Sequence, residues 1–112
     1  MNSKVIWSEQ VESYVKSKAP EPRRELWRGI KGMADWEGTE NPPQIRHLED
    51  ELIGYSRLRV GAHRLVFRET FAQGQRTIAF LFAGPRSTVY EAFAELFLDE
   101  LTFKPPPGEP SA

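Results

Sequence analysis

The chain has 112 residues, 39% of them hydrophobic, with no cysteine and a net charge of −1, which suits one compact domain with one core. Disulfides, thiolate metal sites and a catalytic thiol are excluded, and no run of about 18 apolar residues is present to span a membrane. The opening "MNSKVIWSEQVE" reaches acidic residues too early for a signal peptide, so a cytoplasmic protein with no membrane partner is expected.

"KVIW" predicts a short strand, read as an edge strand. Ser8 then stands where an N-cap belongs, with Glu9 in the first turn, where an acid suits the helix dipole. Val11, Tyr14, Val15 and Ala19 share one helical face. "APEP" breaks that helix, and a second begins at about Pro22 with Leu26, Ile30 and Met33 as its stripe. The pair predicts an αα-hairpin. "EGTENPP" is a loop.

Three strands follow. "YSRLRV" alternates, with Ser56, Leu58 and Val60 on one face and Tyr55, Arg57 and Arg59 on the other. Gly61-Ala62 is a tight turn. "HRLVFRETF" sends His63, Leu65 and Phe67 one way and Arg64, Val66 and Arg68 the other. "RTIAFLFAG" is apolar on both faces, as a central strand is. Ser87 is the expected cap of a last helix whose stripe is Val89, Phe93, Leu96, Phe97 and Leu101. That stripe is wide enough for part of it to take a partner helix. The order β-α-α-β-β-β-α is α+β by the layer argument. One domain is expected over residues 1–103, with a Pro-rich flexible tail over 104–112.

Charge is segregated along the chain. Residues 1–54 hold eight Lys/Arg and ten Asp/Glu, residues 55–90 six Arg and one Glu, and residues 91–112 one Lys and five acids. The middle block therefore carries +5, all of it from arginine. Guanidinium forks match phosphate oxygens bidentately, so such a block can meet a polyanion. The alternative is that its arginines pair with acids elsewhere in the chain. Arg68 and Arg76 are expected on the surface. Two histidines, His47 and His63, make an all-protein zinc site unexpected.

"RLRVGAHRLVFRE", a hydrophobic strand and then "AGPRSTVYEAF" resemble the RelE/ParE superfamily of type II toxin–antitoxin toxins. Residues 55–90 carry the resemblance, and with the two preceding helices it spans about residues 3–100. It implies a twisted antiparallel sheet with an αα-hairpin packed on one face. In the RelE-like branch, which the arginines favour, the opposite face grips mRNA on the ribosome and cleaves it. In the ParE-like branch the fold binds DNA gyrase and is not an enzyme. A third possibility is a non-toxic member that only binds its antitoxin. The resemblance implies a cognate antitoxin protein as partner in each case, and no cofactor or metal.

Residue by residue, Arg64 matches the family's phosphate-binding arginine after the hairpin turn, and Arg86 the arginine after the last strand. Tyr90 matches the tyrosine of the Val-Tyr pair, with core packing as its rival role. These three are the catalytic candidates, and Arg57 and Arg59 the RNA-binding ones. Arginine supplies only cations, because it stays protonated. A base must come from elsewhere, and His47, Glu49, Glu51 and His63 are the candidates. His63 directly precedes Arg64 and so projects from the other face. The catalytic lysine that some members carry has no counterpart in residues 55–90, and the sequence pI of about 6.1 departs from the basic character usual in ribosome-dependent toxins.

Overall fold

Ser8 ends the first strand and begins the first helix. Its hydroxyl accepts from the Val11 amide at 3.3 Å as an N-cap, and donates to the Leu81 carbonyl at 2.8 Å. One buried side chain thus fixes the helical layer to the sheet. The structure, a computed structural model, describes residues 3–38, 42–96 and 98–107. Its elements are β1 (Lys4–Ser8), α1 (Glu9–Lys16), α2 (Pro20–Gly32), β2 (Ile45–His47), β3 (Ser56–Val60), β4 (His63–Ala72), β5 (Gln75–Pro85), α3 (Val89–Ala94) and β6 (Phe103–Lys104).

The fold is α+β, a six-stranded open sheet in the order β2-β3-β4-β5-β1-β6. β2 to β5 form an antiparallel meander, while β1 joins β5 in parallel. A parallel neighbour needs a long crossover, here supplied by everything between β1 and β5. β1 is not the edge strand expected for it. Its partners on either side are β5 and β6, and Val5 and Trp7 are buried.

α1 and α2 form the expected hairpin and cover one face. Val11, Val15, Leu26 and Ile30 pack there against Leu58, Leu65, Phe67 and Phe80. Gly29 allows α2 to approach the sheet closely, since a Cβ there would lie 2.9 Å from Val60 Cγ2.

The other face has a smaller core of Val66, Leu81, Val89 and Phe93, flanked by Tyr55, Phe82, Leu96, Leu98, Leu101 and Phe103. A bulge feeds it. Val66 pairs with Phe82 but Phe67 with Phe80, leaving Leu81 as the extra residue of β5, and its carbonyl is the one Ser8 takes. Beyond the bulge the Gln10 amide acts as a substitute strand. Its Nε2 donates to Ala83 O at 2.7 Å and its Oε1 accepts from Ala83 N at 2.8 Å.

The C-terminal part differs from expectation. α3 stops at Ala94, capped at its start by Thr88 rather than Ser87 and with no side-chain cap bond. The apolar residues beyond it are too many for one stripe. They wrap the second face through a 3-10 turn at Leu98–Glu100, and Phe97 lies outside the described residues. Residues 104–107 do not begin a tail. Lys104 pairs with Trp7 in the sheet and reaches Glu12 at 2.7 Å, Pro106 is buried, and Pro107 O accepts from Trp27 Nε1 at 3.2 Å. Prolines cannot form a helix there but can lie extended across it. Residues 108–112 of the expected tail lie outside the described residues. No described helix is long and apolar enough to cross a membrane.

Candidate functional site: an arginine basin on the open face of the sheet

Strand alternation sends one set of arginines away from the helices. Arg46 of β2 stands directly opposite Arg57 of β3, and Arg59 of β3 directly opposite Arg64 of β4. Arg86, just past β5, is brought beside them because its amide donates to Ala62 O in the β3–β4 turn at 3.0 Å. Tyr90, in the first turn of α3, reaches the same place from above. α3 can sit close because Gly84 faces it, where a Cβ would already be 3.4 Å from Val89. Arg46, Leu48, Arg57, Arg59, Arg64, Arg86 and Tyr90 line one open basin of about 410 Å³.

Like charges directly across a strand pair are unfavourable. Here five guanidinium groups share one basin, and none forms an ion pair with a described residue. Arg57 and Arg64 are both only 9% exposed. Burial holds the Arg57 guanidinium below its ordinary value, with Arg46 and Arg59 adding to the effect and Tyr90 opposing it. Burial does the same to Arg64, reinforced by Arg57, Arg86 and Arg59. Arginine stays protonated at neutral pH even so, and both remain charged. The shift therefore measures repulsion and lost hydration that a bound anion would relieve. Arg64 is aimed by main chain, its Nη1 donating to Gly61 O at 2.9 Å and His63 O at 3.0 Å.

The structure brings together Arg57, Arg59, Arg64, Arg86 and Tyr90. It adds Arg46, which sequence reasoning passed over. The signal was there, because "IRH" alternates into the same face once it is read as a strand, but three residues are too few to show a period. The base candidates are not in the basin. His47 and Glu49 line an adjoining depression that shares Arg46 and Leu48 with it. His47 Nδ1 is 2.7 Å from Ser56 Oγ, on the rung where β2 meets β3. Glu51 lies exposed in a 3-10 turn. His63 points to the helical face, as its position in the strand predicts, and its Nδ1 is 2.7 Å from the Tyr14 hydroxyl. Arg76 is not a plain surface residue. It is half-buried and paired with Glu69 at 2.8 Å. Among the described residues no group of three or more His, Asp or Glu stands close enough to hold a metal ion.

No protein-family model matches the chain, and no curated protein does. Among solved structures, a chain of the toxin–antitoxin complex RelBE2 from Mycobacterium tuberculosis is similar at a TM-score of 0.61 and 19% identity, covering 77% of this chain and all of that one. The fold is RelE/ParE-like. A YoeB/ParE toxin from Agrobacterium tumefaciens aligns at a TM-score of 0.49 and 18% identity, covering 73% of this chain and 97% of that one.

Proposed function

We propose that the protein is the toxin of a type II toxin–antitoxin pair, with an antitoxin protein as partner, and that it cleaves mRNA on the ribosome without a metal. The fold shared with a chain of a toxin–antitoxin complex supports the first part. The observation that carries the second is the basin, where five guanidinium groups with no carboxylate partner among the described residues surround one phenol. A phosphodiester supplies the missing anion. Arg64 and Arg86 take the oxygens of the scissile phosphate, and Arg57 and Arg59 the neighbouring backbone.

In the cleavage the RNA 2′-oxygen attacks the adjacent phosphorus and gives up its proton. The P–O5′ bond breaks, leaving a 2′,3′-cyclic phosphate, and the departing 5′-oxygen takes a proton. The guanidinium groups stabilise the charge that gathers on the phosphoryl oxygens. Among the described residues that line the basin Tyr90 alone can relay a proton, so it takes the 2′-hydroxyl proton as its own phenolic proton passes to water in the basin. Solvent entering the open basin protonates the 5′-oxygen.

One observation favours a second, non-enzymatic reading, in which the arginine face binds DNA gyrase. Among the described residues no carboxylate or imidazole lines the basin. Inducible expression in a bacterium separates the two, with pulse labelling of protein and DNA synthesis and primer extension on a reporter mRNA. The nuclease reading expects translation to stop first and new 5′ ends to appear on translated messages only. It also expects Tyr90→Phe, which removes one hydroxyl, to slow cleavage by roughly 10²-fold. Failure of DNA synthesis with intact mRNA would replace it with the gyrase reading.

A further inference from the structure

The β3–β4 turn presents three consecutive carbonyls to the basin. Gly61 O and His63 O accept from Arg64 Nη1 at 2.9 and 3.0 Å, and Ala62 O accepts from the Arg86 amide at 3.0 Å. The Arg64 guanidinium and the Arg86 main chain are thus held by the turn, and no described acid pairs with either arginine. Gly61 and Ala62 are exposed, and Gly61 has a positive φ of 60°. An exposed turn with few buried contacts opens at low free energy, so contacts of the strands it joins matter to its shape.

On the far face of the sheet the fixed point is a side-chain pair. The Tyr14 hydroxyl of α1 lies 2.7 Å from His63 Nδ1, with the two rings edge to face at 5.6 Å. Both groups are held in their neutral forms. Burial raises the Tyr14 phenol, so it keeps its proton. Burial first, then Lys18, lower the imidazole; Glu25 opposes them, and Arg64 adds a smaller lowering. Across the strands His63 meets Val60 and Pro85, which carry no charge. A neutral imidazole can share a hydrogen bond with the phenol through Nδ1, and Lys18 Nζ lies 4.1 Å above the Tyr14 ring.

We infer that the Tyr14–His63 pair is a positioning device for the basin. It ties the β3–β4 turn to α1, so that the turn's carbonyls hold the Arg64 guanidinium in one orientation and fix the Arg86 main chain beside it. The inference rests on the nuclease reading for its consequence, since a loosely held guanidinium would lower the cleavage rate. Its geometry does not depend on that reading.

The test follows the Arg64 guanidinium by nitrogen-15 NMR of the full chain, its signals identified by their loss in Arg64→Lys. Two carbonyl bonds slow rotation of the Nη1 group, so resolved, slowly exchanging Nη protons are expected in the wild type. Tyr14→Phe removes only the hydroxyl and is expected to average them. His63→Gln puts a neutral amide oxygen within reach of the Tyr14 hydroxyl and is expected to retain them. If Tyr14→Phe does not fold, His63→Leu fills the same half-buried place without an acceptor, and the same averaging is expected of it. Unchanged Arg64 signals in the folded variant that lacks the bond would overturn the inference. So would their loss in a folded His63→Gln. In primer extension Tyr14→Phe is expected to cut about tenfold more slowly, in line with a misplacement well under 1 Å, with His63→Gln close to wild type. The NMR result needs no RNA. If the wild type cuts nothing, the nuclease reading falls and the positioning is still decided.

Discussion

At the start of β5, Arg76 donates to Glu69 Oε2 at 3.0 Å, to Ser3 Oγ at 3.2 Å and to the Trp36 carbonyl, and lies 4.7 Å over the Trp36 ring. Just past the end of the same strand, Arg86 stands with four other arginines and no described carboxylate partner. Glu69, the one acid of the arginine block, is committed to Arg76 at the far end. A half-buried guanidinium that serves only the fold is surrounded with acceptors, as Arg76 is. Charges gathered without partners cost stability, and the chain keeps them where the sheet is open. That difference separates an arginine that the fold needs from arginines that a ligand needs.

The largest expected effect tests that separation directly. On the nuclease reading Arg64→Ala removes a cation from the scissile phosphate, and cleavage is expected to fall by roughly 10²–10³-fold, the loss typical of one preorganised donor. Its melting temperature should hold or rise, because like-charge repulsion is relieved. Arg76→Met should do the reverse, losing about 2 kcal/mol of stability through unsatisfied partners while cutting at the wild-type rate. Thermal melts and primer extension on the same two proteins decide it. If Arg64→Ala unfolds and Arg76→Met alone loses activity, the two ends have been assigned the wrong way round.

Much of this contrast was legible in the sequence, and the reasons differ by element. The two hairpins show because glycine turns separate alternating strands, and alternation alone puts Arg57, Arg59 and Arg64 on one face and His63 on the other. α1 and α2 show through their stripes and the Ser8 cap. β2 and β6, with three and two residues, have no period to read and exist because neighbouring strands pair with them. The parallel place of β1 is set by a long crossover that no local signal marks. Arg46 was missed with β2. The end of α3 was misjudged because its apolar continuation covers the second core as an extended wrap, where tertiary packing outweighs helix propensity. The Arg76–Glu69 pair needed the register of β4 on β5, in which Glu69 and Arg76 come close only after the hairpin closes.

Arg46 sharpens the comparison at an intermediate size. It is exposed, lies opposite Arg57 and lines the basin, so it should contact an RNA phosphate rather than brace the fold. Arg46→Ala is expected to weaken single-stranded RNA binding uniformly across sequences. The salt dependence should report the lost contact, its log–log slope becoming shallower by about 0.7 for one released counterion. Titrations of the wild type and the variant over a range of salt concentrations measure both. An unchanged slope would mean that Arg46 belongs to the rim and not to the gripping surface.

The smallest effect concerns the opposite charge. Glu12 in α1 is the reverse of the basin, a buried carboxylate between Lys104 at 2.7 Å and Lys16 at 3.4 Å. Lys104 first, then Lys16, holds its pKa below the ordinary value against the opposing effect of burial. A depressed folded value means that the unfolded chain binds the proton more readily. The contribution is therefore complete above the unfolded value near 4.5 and is lost as the pH falls through the folded one. Both lysines are well exposed, so the pairs are worth only about 0.5 kcal/mol each. Glu12→Gln should be slightly less stable than the wild type at pH 7, by denaturant titration, and equal to it once the pH is well below 4.5. Because Lys104 lies in β6, hydrogen exchange at Phe103 and Lys104 should quicken in the variant at neutral pH before the rest of the sheet responds. A stability difference that persists in acid would show that Glu12 acts through packing, and that pairing of charge is not what holds the end of the chain to β1.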